Sequence, residues 1–293
     1  MAIATKTIVD MERIKEAIEK ARAGEAQVRR GLRTAPVPVA MADIPRMHGH
    51  SPVAPSVAPL DFRYVRTQVE RADPAHLEQH RIIAHRKDHP NSWTFDSLRT
   101  QVLQRMDENG WRVLAVTSPT LDSGKTVVSI NLAISIAQQL QRTALLLDFD
   151  LRRPSVAKYL GLNAKISLND VLLRGADVAD AMVNPGFERL VVLPTQRAAD
   201  RPSELLASSR VADLLGELRD RYADRVVVVD LPPALAADDV LAVLPQVDCV
   251  LFVVGSGVSS EKEIEEAQRR LSRVPLLGVV LNKDASVVNN AYY

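Results

Sequence analysis

One loop of the chain reads Ser118-Pro119-Thr120-Leu121-Asp122-Ser123-Gly124-Lys125-Thr126, between an apolar run at 113–116 and a segment with helical periodicity. Its last three residues, Gly-Lys-Thr, are the core of a phosphate-binding loop, in which backbone N–H groups at a helix N-terminus bind anions. In such a loop the lysine contacts the β- and γ-phosphates and the threonine hydroxyl ligates Mg²⁺. Pro119 stands where the usual pattern has a glycine, and Gly-Lys-Thr also occurs by chance, so the flanking sequence has to support this interpretation.

Acidic residues follow two further apolar runs. The run at 144–147 is followed by Asp148 and Asp150, and the four valines at 226–229 are followed by Asp230. The carboxyl ends of parallel strands meet at one edge of a sheet, where open α/β folds bind their ligands. Mg²⁺ prefers oxygen ligands and retains several waters, so one or two carboxylates suffice for a site. Each segment alone also fits a solvated loop or turn, but three in this order favour one magnesium–nucleotide site.

From residue 91 onward, apolar runs of strand length alternate with helical segments. A first helix begins at Asn91 or Ser92 and stops at Asn109-Gly110. The apolar runs are 113–116, 144–147, 190–193, 226–229, 250–254 and 277–281. The helical segments between them are at about 126–141, 203–221, 238–244 and 260–272. Runs that are apolar on both faces and alternate with helices predict an α/β fold with a mostly parallel sheet covered on both sides.

The first third of the chain has a different character. Residues 1–33 contain apolar positions at helical spacing from 8 to about 30, which predicts an amphipathic helix or a partly helical tail. Residues 34–60 hold six prolines and predict a disordered linker. Residues 61–90 form a poorly defined lead-in, with a short strand at 62–69 and a short helix at 75–83. The main domain is predicted at 91–285, followed by a flexible tail at 286–293.

The composition excludes several classes of protein. With 37 basic and 36 acidic side chains the formal charge is +1, which argues against a general nucleic-acid-binding protein. The single cysteine, Cys249, excludes an internal disulfide and fits a reducing compartment. No secretory signal is visible, and no apolar run approaches the ~20 residues that cross a bilayer. We therefore expect a cytoplasmic protein that does not insert into a membrane itself.

The three segments together resemble the bacterial tyrosine kinases of polysaccharide synthesis. The resemblance covers roughly 94–285 and rests on the loop at 117–126, on Leu146 to Pro154, on Val229-Asp230-Leu231-Pro232-Pro233, and on 278–283. The most specific motif is Asp148-Phe149-Asp150-Leu151-Arg152-Arg153-Pro154, which Min- and Par-type ATPases do not normally carry. The resemblance implies a P-loop NTPase fold of the Min/Par type, and proline is frequent in the family at the position of Pro119.

The resemblance also implies roles for individual residues. Lys125 and Thr126 would hold the phosphates and Mg²⁺, and Asp148 and Asp230 would order the water shell of the metal. Asp150 would be the base that takes the proton of a tyrosine, and Arg152 would offset charge on the transferred phosphoryl group. The implied nucleotide-binding residues are Asp122, Ser123, Gly124, Lys125, Thr126, Val127 and Asn282. ATP is favoured over GTP because Ala285 stands where guanine-specific proteins have aspartate.

The function implied is an ATP-dependent protein-tyrosine autokinase that regulates polymerisation or export of an extracellular polysaccharide. Tyr292 and Tyr293 would be the phosphate acceptors. The expected partner is a membrane-bound chain-length regulator, which would recruit the kinase to the inner face of the membrane and activate it. Two alternatives are a positioning ATPase that phosphorylates nothing and a catalytically weak nucleotide-sensing scaffold.

Three departures from the family pattern bear on activity and assembly. Asp122 stands where the family usually has glycine, which predicts weakened nucleotide binding. The ring-assembly motif Glu-x-x-Arg-x-x-Arg is represented by Trp93, Asp96 and Arg99, so homo-oligomerisation by that route is doubtful. The C-terminal tyrosine cluster is reduced to Tyr292 and Tyr293.

Overall fold

The computed structural model of this chain describes residues 67–284 in full and the backbone of residues 2–4. These residues all belong to one compact unit. The predicted helix at 8–30, the predicted linker at 34–60 and the predicted tail at 286–293 lie outside the described residues.

The described residues form one mostly parallel sheet, as predicted. Its strands are β1 Ala2–Ala4, β2 Gln68–Val69, β3 Val113–Thr117, β4 Thr143–Asp148, β5 Val183–Asn184, β6 Leu190–Leu193, β7 Arg225–Asp230, β8 Cys249–Gly255 and β9 Leu276–Asp284. Their order is β1-β9-β8-β3-β7-β4-β6-β5-β2. Only β1 against β9 and β5 against β6 run antiparallel. The six predicted strands are therefore confirmed, while β1 and β5 were not predicted. Strand β2 coincides with the end of the predicted strand at 62–69, of which residues 62–66 lie outside the described residues.

The helices alternate with the strands. They are α1 Pro74–Gln79, α2 Ser92–Asn109, α3 Lys125–Ala137, α4 Val156–Leu160, α5 Leu168–Arg174, α6 Val178–Ala181, α7 Pro202–Leu206, α8 Ser209–Asp220, α9 Asp239–Val243 and α10 Glu261–Leu271. The prediction of a single helix at 203–221 is wrong. Ser208 has an extended backbone with ψ 152°, and its hydroxyl donates to the Leu205 carbonyl at 2.6 Å, which ends α7 before α8 begins.

The central strands are buried on both faces. Every residue of β3, β4 and β8 is buried, as expected for parallel strands covered by helices on both sides. Helix α3 lies inside the molecule, since all but two of its residues are buried. Among the described residues, no helix combines the length and the apolar character that crossing a bilayer requires.

Residues of the lead-in pack into the same core and are fixed by one buried amide. Leu77, Ile82 and Ala84 belong to the main hydrophobic cluster. The Asn131 side chain, on α3, accepts hydrogen bonds from the Ile83 and Ala84 N–H groups at 2.8 and 2.9 Å. Its Nδ2 donates to the Arg81 carbonyl at 3.0 Å and to the carbonyl one turn earlier in α3 at 2.8 Å. A single asparagine thus joins the segment before α2 to the helix that follows the loop.

Asn131→Ala is expected to lower the free energy of unfolding by about 3 kcal/mol or more, since it leaves several buried backbone groups without a partner, at ~1–3 kcal/mol each. Urea unfolding followed by circular dichroism measures the change. Asn109→Ala is the matched control, because Asn109 is exposed and donates only to Arg105. Equal effects of the two substitutions would contradict the structural role assigned to Asn131.

Candidate functional site

Three segments of the chain meet at the carboxyl edge of the sheet. Strands β3, β7 and β4 are neighbours, and Asp230 pairs in register with both Val116 and Asp148. The loop after β3 therefore lies beside the acidic ends of β7 and β4. The Lys125 ammonium is 2.8 Å from Asp150 Oδ2 and 3.8 Å from Asp230 Oδ2.

Asp230 is the centre of a buried hydrogen-bond network. The Thr126 hydroxyl donates to its Oδ2 at 2.7 Å, and the Ser129 hydroxyl donates to its Oδ1 at 2.9 Å. Lys125 Nζ also donates to the Thr126 hydroxyl at 3.3 Å. Thr126 and Asp230, which sequence analysis predicts as metal ligands, are thus in direct contact.

Asp148 is held by the backbone at the start of α4. Its Oδ2 accepts hydrogen bonds from the N–H groups of Ser155 and Val156, both at 3.0 Å. Its Oδ1 accepts a longer bond, 3.3 Å, from the N–H of Asp150. The Thr195 hydroxyl donates to the Asp148 carbonyl at 2.6 Å, which connects this strand end to the segment after β6.

Burial dominates the electrostatics of this cluster. Burial raises the pKa of Asp148 well above its ordinary value, and the nearby Asp230 carboxylate raises it further. Burial likewise raises the pKa of Asp230, although Lys125 and the Thr126 hydroxyl partly offset the effect. Burial opposes the charge of Lys125, but Asp230 and Asp150 outweigh it, so the pKa of Lys125 lies above its ordinary value. Three carboxyl groups, of Asp148, Asp150 and Asp230, stand against one ammonium, so the ionised cluster has more negative than positive charge and favours a further cation.

The backbone of the loop packs closely against the Asn282 side chain on β9. Gly124 has φ +87°, which other residues rarely adopt, and a Cβ at this position would lie 2.1 Å from Asn282 Nδ2, so that a larger residue would strain the backbone and displace the Asn282 amide. Asn282 Nδ2 donates to the carbonyl of Ser123, which is buried, at 2.9 Å. The amide of Asn282, implied as the adenine contact, is therefore also a support of the loop.

A cavity of about 600 Å³ opens beside the loop. Of the predicted site residues it is lined by Asp122, Gly124, Lys125, Thr126, Val127, Asp150 and Asn282. The lead-in contributes Glu78, Arg81 and Ile83 to its wall. Segments distant in sequence therefore form one concave site.

The residues present fit a magnesium–nucleotide complex. Hydroxyl and carboxylate oxygens, from Thr126, Asp230 and Asp148, are the ligand type that Mg²⁺ prefers, directly or through water. The N-terminus of α3, the lysine and a glycine that permits close approach together suit phosphates. The donor set and the loop geometry both agree with the predicted ligands.

Arg152 lies apart from this cluster. Its Nε donates to Asp239 at 2.5 Å, and it is not among the described residues that line the cavity. The neighbouring Arg153 does line the cavity, and its N–H donates to Asp150 Oδ1 at 3.0 Å. The structure thus brings together all the predicted site residues of the described segments except Arg152.

Comparison with known proteins finds relatives over most of the described residues. The putative tyrosine-protein kinase CapB from Staphylococcus aureus is 29% identical over 201 residues, which cover 68% of this chain and 87% of CapB. The solved kinase domain of the Escherichia coli tyrosine kinase ETK is 32% identical, with a TM-score of 0.60 and coverage of 68% of this chain and 79% of that domain. The chain belongs to the bacterial tyrosine kinases.

Other relatives of this bacterial tyrosine kinase are much longer. The tyrosine-protein kinase Wzc from Salmonella typhi is 32% identical over 188 residues, which cover 64% of this chain but only 26% of Wzc. The chain therefore spans about a quarter of the length of such relatives. No protein-family model matches the chain.

The residues at the ring-assembly positions of this family member make contacts within the chain. Asp96 Oδ1 accepts hydrogen bonds from Arg99 Nη1 at 2.7 Å and from the Ser135 hydroxyl at 2.9 Å. Arg99 Nη1 also donates to Ser135 Oγ at 3.1 Å. These bonds join α2 to α3, while Trp93 is 44% exposed. The expectation that this motif does not build a ring stays a prediction, and these internal contacts support it.

Sequence reasoning missed several residues that support the site. Ser129 and Asn131 lie at buried positions of the mostly apolar helix α3. Polar residues within an apolar segment of the sequence were the signal that could have indicated their role. Ser155 donates to Thr126 at 3.3 Å, and no pattern in the sequence indicates that contact. Asp239 belongs to the acidic pair Asp238-Asp239, eight residues after Asp230, which was a visible signal in the sequence.

Asp122 has the backbone conformation that glycine favours, with φ +61°, and its side chain is exposed at the cavity wall. Asp122→Gly is expected to tighten Mg-ATP binding about 5-fold, because it removes roughly 1 kcal/mol of repulsion between exposed like charges. Calorimetric titration measures the affinity. Asp122→Asn separates the causes, since it removes the charge but keeps a side chain that tolerates this conformation. Unchanged or weaker binding in both variants would refute the electrostatic explanation.

Proposed function

We propose that this chain is an ATP-dependent protein-tyrosine autokinase that regulates polymerisation or export of an extracellular polysaccharide. The observation that carries the proposal is the contact of Lys125 with two carboxylates: Asp150, which lines the cavity beside it, and Asp230, which is buried at the end of β7. Membership of the bacterial tyrosine kinases supports the same activity. The acceptors proposed are Tyr292 and Tyr293.

The chemistry proposed assigns one task to each group. Lys125 would turn from Asp150 to the β- and γ-phosphates, which leaves that carboxylate able to accept a proton. Asp150 then takes the proton of the tyrosine hydroxyl. The tyrosine oxygen bonds to the γ-phosphorus while the bond from that phosphorus to the ADP oxygen breaks. Mg²⁺, when bound, would neutralise charge on the phosphates. Thr126, Asp148 and Asp230 would hold it, partly through water.

The proposal includes an activator and a location. The partner is a membrane-bound chain-length regulator whose cytosolic tail completes the nucleotide site, and it brings a cytoplasmic kinase to the inner face of the plasma membrane. A second copy of the chain is a further possible partner. Neither nucleic acid nor direct insertion into the bilayer is part of this proposal.

Incubation of the purified chain with γ-labelled Mg-ATP, with and without the activator tail, tests the activity. Label on Tyr292 or Tyr293 identifies a kinase, free phosphate without label identifies an ATPase, and neither product identifies a nucleotide-sensing scaffold. The double substitution Tyr292→Phe with Tyr293→Phe is expected to remove at least nine-tenths of the label. Tyr222→Phe is the matched control, because Tyr222 is 46% exposed and lies outside the cavity lining. Label that survives the double substitution would contradict the tail assignment.

A further inference from the structure

Arg152 is held by a buried carboxylate outside the nucleotide cavity. Asp239, the first residue of α9, has a fully buried side chain. Its Oδ2 accepts a hydrogen bond from Arg152 Nε at 2.5 Å, and its Oδ1 accepts one from Nη2 at 3.2 Å. The Ser203 hydroxyl, on the first turn of α7, donates to the same Oδ1 and accepts from Arg152 Nη2 at 3.2 Å. This contact joins the segment after β4 to the first turns of α7 and α9.

The two partners differ in their freedom to move. A buried carboxylate needs its cation, because removal of the cation would leave a negative charge buried and unpaired. Arg152, in contrast, is 44% exposed. One edge of its guanidinium, Nε and Nη2, is therefore fixed to the protein, while Nη1 has no hydrogen-bond partner among the described residues.

The alternative partner of Arg152 is the predicted base, Asp150. Arg152 follows Asp150 by two residues, and the hydrogen bond to Asp239 raises the pKa of Arg152, with smaller contributions from the charges of Asp239 and Asp150. Arg152 is thus a permanent cation within electrostatic range of Asp150. Without Asp239, only Ser203 among its described side-chain partners would still hold the guanidinium, and the charge of Asp150 would draw it toward the predicted base.

We propose that Asp239 is a positioning residue for phosphoryl transfer, which acts through Arg152 and rests on the proposed function. Asp239, with Ser203, commits one guanidinium edge of Arg152 to the protein and leaves the other, Nη1, free to turn toward the transferred phosphoryl group when nucleotide is bound. Preorganised cations contribute to rate because they need no rearrangement as charge develops. Asp239 therefore affects the rate of transfer and not the affinity for nucleotide.

A double-mutant cycle on the full chain with Arg152→Ala, Asp239→Asn and the two combined tests the proposal. Asp239→Asn is expected to lower kcat about 10-fold with the Mg-ADP affinity unchanged within 2-fold, and Arg152→Ala to lower kcat about 100-fold. The combined variant is expected to equal Arg152→Ala alone, because Asp239 has no other route to the reaction. Ser203→Ala, the milder change, is expected to lower kcat about 3-fold, again only when Arg152 is present. Asp107→Asn is the control, since Asp107 pairs with Arg142 at 2.7 Å away from the cavity.

The proposal would be overturned if the kcat losses of Arg152→Ala and Asp239→Asn multiply in the double variant. The same holds for Arg152→Ala combined with Ser203→Ala. A nucleotide affinity that falls in parallel with kcat would also overturn it. If the unsubstituted chain releases phosphate without tyrosine label, the autokinase function fails, and the same cycle on phosphate release still decides the role of Asp239. If the unsubstituted chain does neither, both proposals fail.

Discussion

Lys125→Met is expected to reduce tyrosine labelling by at least a factor of 100 and to remove measurable binding of Mg-ATP. The lysine is the cation at the centre of the site, 2.8 Å from Asp150 and 3.8 Å from Asp230. Loss of one preorganised group that stabilises a transferring phosphoryl typically costs ~10²–10³ in rate. Labelling assays and calorimetric titration measure the two effects, and full labelling by the variant would refute the assignment of the loop.

The same substitution is expected to destabilise the nucleotide-free protein, so loss of activity needs a control for loss of fold. Lys125 is 12% exposed, and its partners Asp150 and Asp230 are 4% and 0% exposed. Breaking such a pair costs about 3–5 kcal/mol, because a carboxylate is left buried without its cation. Lys125→Met combined with Asp150→Asn removes one charge of each sign. We expect this double variant to recover much of the thermal stability but none of the labelling.

The site was predictable because its chemistry lies at strand ends. In a parallel sheet the carboxyl ends of neighbouring strands converge, so the acids after 144–147 and after 226–229 could be assigned to one edge before the strand order was known. The sheet places β7 between β3 and β4, which brings Asp230 into register with Asp148. The fold class and the six long strands followed from the apolar runs alone.

Contacts between distant segments could not be predicted from periodicity. The bonds of Asn131 to residues 81–84, and of Arg152 to Asp239, depend on how loops pack after the sheet has formed. No spacing rule connects such pairs. The short strands β1, β2 and β5 have three residues or fewer, too few for an alternating pattern to be visible.

Asp148→Asn is expected to reduce Mg²⁺-dependent labelling by at least 100-fold and yet to stabilise the nucleotide-free protein. Asn keeps an oxygen that accepts the Ser155 and Val156 N–H groups, but it removes a buried charge beside Asp230. We expect the thermal midpoint to rise by about 2–4 °C, which corresponds to ~1 kcal/mol for a domain of this size. Asp107→Asn is the control, since Asp107 forms an exposed pair with Arg142 at 2.7 Å, away from the site.

The stabilisation by Asp148→Asn is expected to grow with pH. Because burial, followed by the Asp230 charge, raises the pKa of Asp148 in the folded state, the native protein binds more protons than the unfolded chain between the two pKa values. Native stability from this group is fully present below the unfolded pKa, about 3.9, and is lost as pH rises through the folded pKa. Asparagine does not titrate, so the difference in unfolding free energy between the variant and the parent should be larger at pH 8 than at pH 5. A difference that shrinks with pH would mean that the fold stabilises the ionised form of Asp148, and Asp148 would then not be a source of the repulsion that a bound cation relieves.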